Sequence, residues 1–232
     1  MERAQSVGVP VPIVRRVVGT KRSNYLVMDR VEGETLEQSW SRLGLWKTVR
    51  VAWQLRSFLQ ALRTVTSQTS GGLSSGRVRS EWFGGIYMPV HRASPEQFTN
   101  YINWWLIKCR PSYCQSRVDL RLEPPPQYFL VHQDLAPRNM IFDQSGKLWL
   151  LDWGRAGYYP EYMEYFGIEP TAMPWLLRPT WAAWWGRLRW SLLRWIAWFP
   201  RSSYKNTLQS LRVMRQRSNR FRLDKTPYSE NE

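Results

Sequence analysis

The stretch that most restricts how this chain can fold is "YFLVHQDLAPRNMIFDQSGKLWLLDWG", residues 128–154. It opens with a short apolar run, passes through a polar loop, and ends in two short apolar runs on either side of Asp-Gln-Ser-Gly. Apolar runs of this length bounded by turn residues predict strands, and the Gly-terminated turn predicts a hairpin of 139–143 against 147–153. A strand, a loop and a hairpin in this order return the chain to its starting point. Asp134 and Asn139 leave from the loop and Asp152 comes back to it, so three oxygen-bearing side chains are expected to face one cavity.

That grouping suits one chemistry. Phosphoryl transfer asks a protein for a carboxylate that accepts the proton of an attacking hydroxyl and for oxygen ligands to magnesium. Magnesium prefers hard oxygens and keeps several waters, so one carboxylate and one amide suffice. The expected base is Asp134, and the expected metal ligands are Asn139 and Asp152. His132 is read as orienting the loop rather than titrating, and Trp153-Gly154 as a bulky anchor followed by a flexible hinge.

The pattern His132-x-Asp134-x4-Asn139 with Asp152-Trp153-Gly154 resembles the catalytic loop and metal-binding motif of the protein-kinase-like fold. In detail, "HQDLAPRNMIFD…LLDWGRAGYYPEYMEY" is similar to the aminoglycoside phosphotransferase-like family, in particular its fungal members. That family usually reads His-Gly-Asp-Leu-x-x-x-Asn and then Ile-Asp-Trp-Glu-x-Ala-Gly-x-x-Pro. Here Gln133 stands at the glycine and Gly154-Arg155 at the glutamate step, and neither change removes a proposed ligand. "VPVP" followed by "YLVMDRVEGETLEQSW" resembles the family's strand, hinge and following helix.

The resemblance covers residues 9–170 and implies an α+β, protein-kinase-like fold with a mostly helical large lobe. It implies ATP and Mg²⁺ as cofactors, adenine against the hinge backbone of Met28, Asp29, Arg30 and Val31, and Arg138, Trp153 and Gly154 as supporting residues beside His132. The family's Gly-rich loop and phosphate-gripping lysine have no counterpart before Val9, so the chain reads as truncated at its N-terminus. Gly8, Gly19 and Gly33 are too scattered for the loop, and Lys21 and Glu2 are wrongly placed for the lysine and its glutamate. The expected divisions are 1–33 as a remnant small lobe and hinge, 34–216 as the large lobe, and 217–232 as a frayed tail. Loss of one preorganised donor typically costs about 10²–10³ in rate, so turnover is expected to be slow or absent unless a partner completes the site.

Helical periods predict the rest. Val51, Ala52, Leu55, Phe58, Leu59 and Leu62 share one face of a helix over 46–66, and Ser94-Pro95 opens another over 94–109. Thr35 and Gln38 form a capping box. Between Pro179 and Pro200, Trp181, Trp184, Trp185, Leu188, Leu192, Trp195, Ile196 and Phe199 share a face, with Arg187 and Arg194 opposite and Trp190 and Trp198 off it. That face is expected to be core, with an interfacial helix as the alternative. A further helix is expected over 203–216.

The formal net charge of +15 and the 15 tryptophans are abnormal for 232 residues. Charge of this sign favours anionic partners and makes a polycationic acceptor a poor match, so a neutral or anionic small-molecule acceptor is expected. An anionic surface or a protein partner is a further expectation, whereas no nucleic-acid module is recognised. The alternative function is an idle pseudokinase that binds partners through its basic, Trp-rich end; another is a gene product of little independent stability. Cys109 and Cys114 alone make no disulfide framework and suggest a reducing compartment. No run of about 18 apolar residues reads as a membrane span, and the start has no long apolar segment of a signal peptide, which predicts a cytoplasmic protein. His91 is read as surface. Glu161 and Glu164 are expected to pair with arginines or to face the acceptor.

Overall fold

The computed structural model describes residues 1–20, 24–78, 91–108, 121–167, 176 and 178–198. In order these form α1 (Glu2–Ser6), β1 (Val14–Gly19), β2 (Asn24–Met28), β3 (Glu34–Thr35), α2 (Leu36–Ser39), α3 (Leu45–Leu62), β4 (Thr66–Ser67), α4 (Pro95–Lys108), β5 (Tyr128–Val131), β6 (Met140–Phe142), β7 (Leu148–Leu150), β8 (Gly157–Tyr159), α5 (Tyr162–Gly167) and α6 (Trp181–Ala197). The class is α+β, as expected. Cys109, Cys114 and the helix expected over 203–216 lie outside the described residues.

Among the described residues the chain makes two compact units, one from 1–65, 132–154 and 164–198, the other from 66–131 and 155–163. In the first, β1 and β2 pair antiparallel in the register Val17↔Leu26. A second, three-stranded antiparallel sheet runs β3-β6-β7. Its short edge strand β3 is seated by Gly33 at φ +150°, where a Cβ would come within 3.0 Å of the Phe142 carbonyl oxygen. Only glycine combines that backbone angle with so close an approach. The next residues start α2 through the expected box: the Gln38 N–H donates to Thr35 Oγ1 at 3.2 Å, and the Thr35 N–H donates to Gln38 Oε1 at 3.1 Å.

The β6–β7 hairpin is held from both sides. The Leu150 N–H donates to the Pro10 carbonyl at 3.0 Å, which binds the lead-in segment along β7 and buries Val9 and Val11. Gln54 of α3 uses both ends of its amide, donating from Nε2 to the Gly146 carbonyl and accepting at Oε1 from the Leu148 N–H, each at 3.0 Å. In the turn itself Asp143 accepts from the Ser145 hydroxyl, the Trp149 indole and the Lys147 N–H. Desolvation works against its charge, but these donors outweigh it and hold the carboxyl at about 2.

α6 packs on α3, and the buried face is not the expected one. Ala183, Gly186, Arg189, Trp190, Leu193 and Ala197 are buried, whereas Trp181 is 74% exposed, Trp184 53%, Leu188 47% and Trp195 56%. The expectation that the Trp181–Trp195 stripe is core is therefore corrected. The physical reason is close approach. Alanine and glycine bring the backbone of α6 near enough for the Trp40 indole N–H to donate to the Gly186 carbonyl at 3.2 Å and for Trp40 and Trp190 to meet edge to face at 5.2 Å. Arg189 is buried because its guanidinium donates to the carbonyls of Trp40 and Leu43, which end α2 and its following turn. Arg56 of α3 donates to the Ile196 carbonyl at 3.0 Å.

In the second unit β4, β5 and β8 form an antiparallel sheet in the register Phe129↔Tyr159. α4 begins with the expected Ser94 cap, reciprocated by Gln97. Its Phe98 meets Tyr128 edge to face at 6.0 Å, and the Tyr128 hydroxyl donates to the Ser94 carbonyl at 2.7 Å. His91 is exposed, as expected.

Candidate active site

The site residues from His132 to Gly154 all belong to the first unit. His132 is fully buried and lies at the centre of a hydrogen-bonded loop. Its Nδ1 accepts from the Asp134 N–H at 3.2 Å, so the ring proton sits on Nε2, which donates to the Leu151 carbonyl at 2.8 Å. Trp153 meets the imidazole edge to face at 4.6 Å and ties its own indole N–H to the Leu150 carbonyl. Burial pushes the imidazole down to about 4, against the opposing pull of the Leu151 bond and of the Asp134 and Asp152 charges. A neutral imidazole of fixed tautomer positions a loop and does not exchange protons near neutral pH.

Asp134 is buried, and Arg138 Nη2 donates to both of its carboxylate oxygens, at 2.9 and 3.0 Å. The turn Pro137–Asn139 then brings Asn139 back, and its Nδ2 donates to the Asp134 carbonyl at 3.0 Å. With the amide nitrogen so engaged, Oδ1 is the atom that Asn139 can offer to a ligand. The Asn139 carbonyl accepts from the Leu151 N–H at 2.8 Å. Leu151 is thus bonded to both His132 and Asn139, and Asp152 follows it in the chain. Asp152 is exposed, with φ +56°, and its Oδ1 lies 3.4 Å from the Gly154 N–H. A Cβ at position 154 would stand 3.3 Å from that same oxygen, so glycine leaves the carboxylate room.

Sequence reasoning missed the clamp beneath this loop. Glu164 is buried, and its two oxygens accept from the His132 N–H at 2.6 Å and the Gln133 N–H at 3.1 Å. Its expected roles, pairing with an arginine or facing an acceptor, give way to holding loop backbone. Burial drives its carboxyl up to about 7, while the two N–H bonds and the field of Arg63 pull the other way. The available signal was an acid set among aromatic residues in "YMEYF", a context in which a carboxylate needs donors. The clamp also explains the backbone at Gln133, whose φ of +65° is a left-handed conformation unusual for a long side chain.

The expected hinge lies at the end of β2. Asp29 donates its N–H to the Ile13 carbonyl at 2.9 Å and accepts Arg15 Nε and Nη2 at 2.6 and 2.7 Å. Arg30 pairs with Glu32 at 3.2 Å. Met28 is exposed and Val31 half-buried.

A family model described as "Phosphotransferase enzyme family" matches residues 1–168. No curated protein matches the chain. Among solved structures, the chain is similar to an aminoglycoside-3′-phosphotransferase of type VIII, with 17% identity over 90% of this chain and 74% of that one and a TM-score of 0.47. It is also similar to a thermostable mutant of aminoglycoside phosphotransferase APH(4)-Ia in a ternary complex with ADP and hygromycin B, with 17% identity, 94% and 81% coverage and a TM-score of 0.44.

Proposed function

We infer that this chain, which belongs to the phosphotransferase enzyme family, moves the terminal phosphoryl group of ATP to a hydroxyl of a neutral or anionic small molecule. The observation that carries the reading is the single network joining His132, Asp134, Arg138, Asn139 and Leu151. It presents a carboxylate and an amide oxygen from one loop, and Asp152 follows Leu151 in the chain.

The donor set fits magnesium, because Asn139 Oδ1 and the exposed Asp152 carboxylate are hard oxygens that leave space for water. Held by Asn139 and Asp152, magnesium would supply positive charge against the charge that develops on the transferred phosphoryl group. Asp134 takes the proton of the attacking hydroxyl, and Arg138 fixes the plane of its carboxylate. His132 and Glu164 hold the loop backbone and carry no proton in the reaction. At the hinge the Asp29 N–H is already given to Ile13, so an adenine would be met by the backbone of Arg30 and Val31. A net charge of +15 disfavours long-range attraction of a polycation, which supports a neutral or anionic acceptor.

The test is transfer of labelled γ-phosphate from ATP, with magnesium, to a panel of neutral, anionic and polycationic hydroxyl compounds. Slow transfer to a neutral or anionic member is expected, with Asp134→Asn lowering the rate by about 10²–10⁴. Transfer confined to polycations contradicts the acceptor class. Equal transfer by Asp134→Asn contradicts the mechanism.

A further inference from the structure

The packing of α6 leaves an apolar stripe on its outer side. Trp181, Trp184, Leu188 and Trp195 fall on one helical face at spacings of three, four and seven residues, and each is roughly half exposed or more. The stripe runs for about 21 Å at 1.5 Å per residue. Trp185 lies half-buried alongside and stacks on Trp181 at 6.2 Å with an interplanar angle of 17°. Half-buried Arg187 donates to the Leu176 carbonyl, and exposed Arg178 lies just before the helix. α3, on which α6 packs, adds exposed Trp46, Arg50 and Trp53 on its own outer face at the same spacing.

The charged residues on the two helices themselves are all basic. Neither α3 nor α6 contains an acidic residue, and the sequence has none between Glu169 and Asp224. Large apolar side chains exposed on helices whose only charged residues are basic mark an interaction site. We propose that the α6 stripe seats the chain on the headgroup layer of an anionic membrane.

Three observations favour that occupant. Tryptophan beside arginine matches the boundary between headgroups and acyl chains, where the indole places its apolar body inward and its N–H toward water. A second copy would bring an equally basic, acid-free face against this one, so like charges oppose self-association. A single-stranded nucleic acid would stack on free indole faces, but Trp181 and Trp185 already cover one another, and Leu188 gains nothing from a phosphate chain. The helix lies on the surface and does not cross it: among the described residues no helix is long and apolar enough to span a membrane.

Flotation of the full chain with vesicles tests this. Vesicles of 30% phosphatidylserine in phosphatidylcholine are compared with phosphatidylcholine alone, at low and high salt, for the native chain and for Trp181→Ser/Trp184→Ser/Leu188→Ser. All three substituted positions are exposed, and an unchanged melting temperature checks the fold. Lys47→Glu with Arg178→Glu, both at exposed positions, forms a second variant whose apolar stripe is intact. The expected result is binding to the anionic vesicles only, weakened by salt, reduced at least tenfold in the triple variant and about fivefold per lost cation in the charge variant. Equal binding to neutral vesicles, no binding to either, or undiminished binding by the folded triple variant overturns the proposal. So does tighter binding of a single-stranded oligonucleotide, or a dimer, that the triple variant abolishes.

Discussion

The loop at 132–154 and the helix α6 contrast in where their partners come from. In the loop, His132, Asp134, Arg138 and Asn139 satisfy one another across two to five residues, and the hairpin returns Leu151 to the same network. In α6, the buried face is chosen by Trp40 and Leu43, 146 to 149 positions away. Local polar geometry can be read from spacing because its donors and acceptors lie within one turn of chain. A helix face can be read only as a period, because which side is covered depends on the shape of what covers it.

Substitution in the loop gives the largest expected effects. Asp134→Asn is expected to lower turnover by about 10²–10⁴ with little change in stability, read by initial rates and a thermal melt. If stability fell as steeply as activity, the loop would be scaffold like α6 and the contrast would fail.

The two faces of α6 come next. Trp190→Ala removes a buried ring packed on Trp40 and is expected to cost about 3–5 kcal/mol. Trp184→Ala on the outer face is expected to fall within about 0.5 kcal/mol of the native chain. Chemical denaturation of both variants measures the difference, and equal costs would mean that the outer stripe is covered in the folded protein.

The pH dependence of stability separates the two buried titratable groups of the loop. Glu164 keeps its proton in the folded chain up to about 7, against an ordinary value of 4.5. Its contribution is therefore full below pH 4.5 and lost as pH rises through 7. His132 is held neutral down to about 4, against 6.5. Its contribution is full above pH 6.5 and lost as pH falls through 4. Between pH 4.5 and 6.5 the two slopes oppose. Glu164→Gln is expected to leave stability rising with pH across that window, and His132→Asn to leave it falling. Equilibrium denaturation at several pH values checks both signs.

The smallest effects test local backbone. Thr35→Ala removes the cap of α2 and is expected to cost about 1 kcal/mol. Gln133→Gly relieves a left-handed residue and is expected to stabilise by about 1 kcal/mol, which a shift in the urea midpoint would register.

These contrasts explain what was legible. The capping box at Thr35, the Ser94 cap, the β6–β7 hairpin and, but for half-buried Phe58, the core positions of α3 follow from short-range rules and agree with the structure. The α6 face was misread because hydrophobicity weights tryptophan above alanine and glycine, whereas packing on α3 rewards close backbone approach at Ala183 and Gly186. Glu164 escaped because a carboxylate that caps loop backbone leaves no spacing signature: its donors, His132 and Gln133, lie 31 to 32 residues upstream.

The most direct test of the proposed chemistry is the melting temperature of the full chain with ATP, with and without magnesium, for the native protein and for Asp152→Ala and Asn139→Ala. A rise that needs both nucleotide and magnesium, and that disappears in each variant, is the predicted result. A rise of equal size without magnesium, or one retained in both variants, would contradict metal binding by these two side chains.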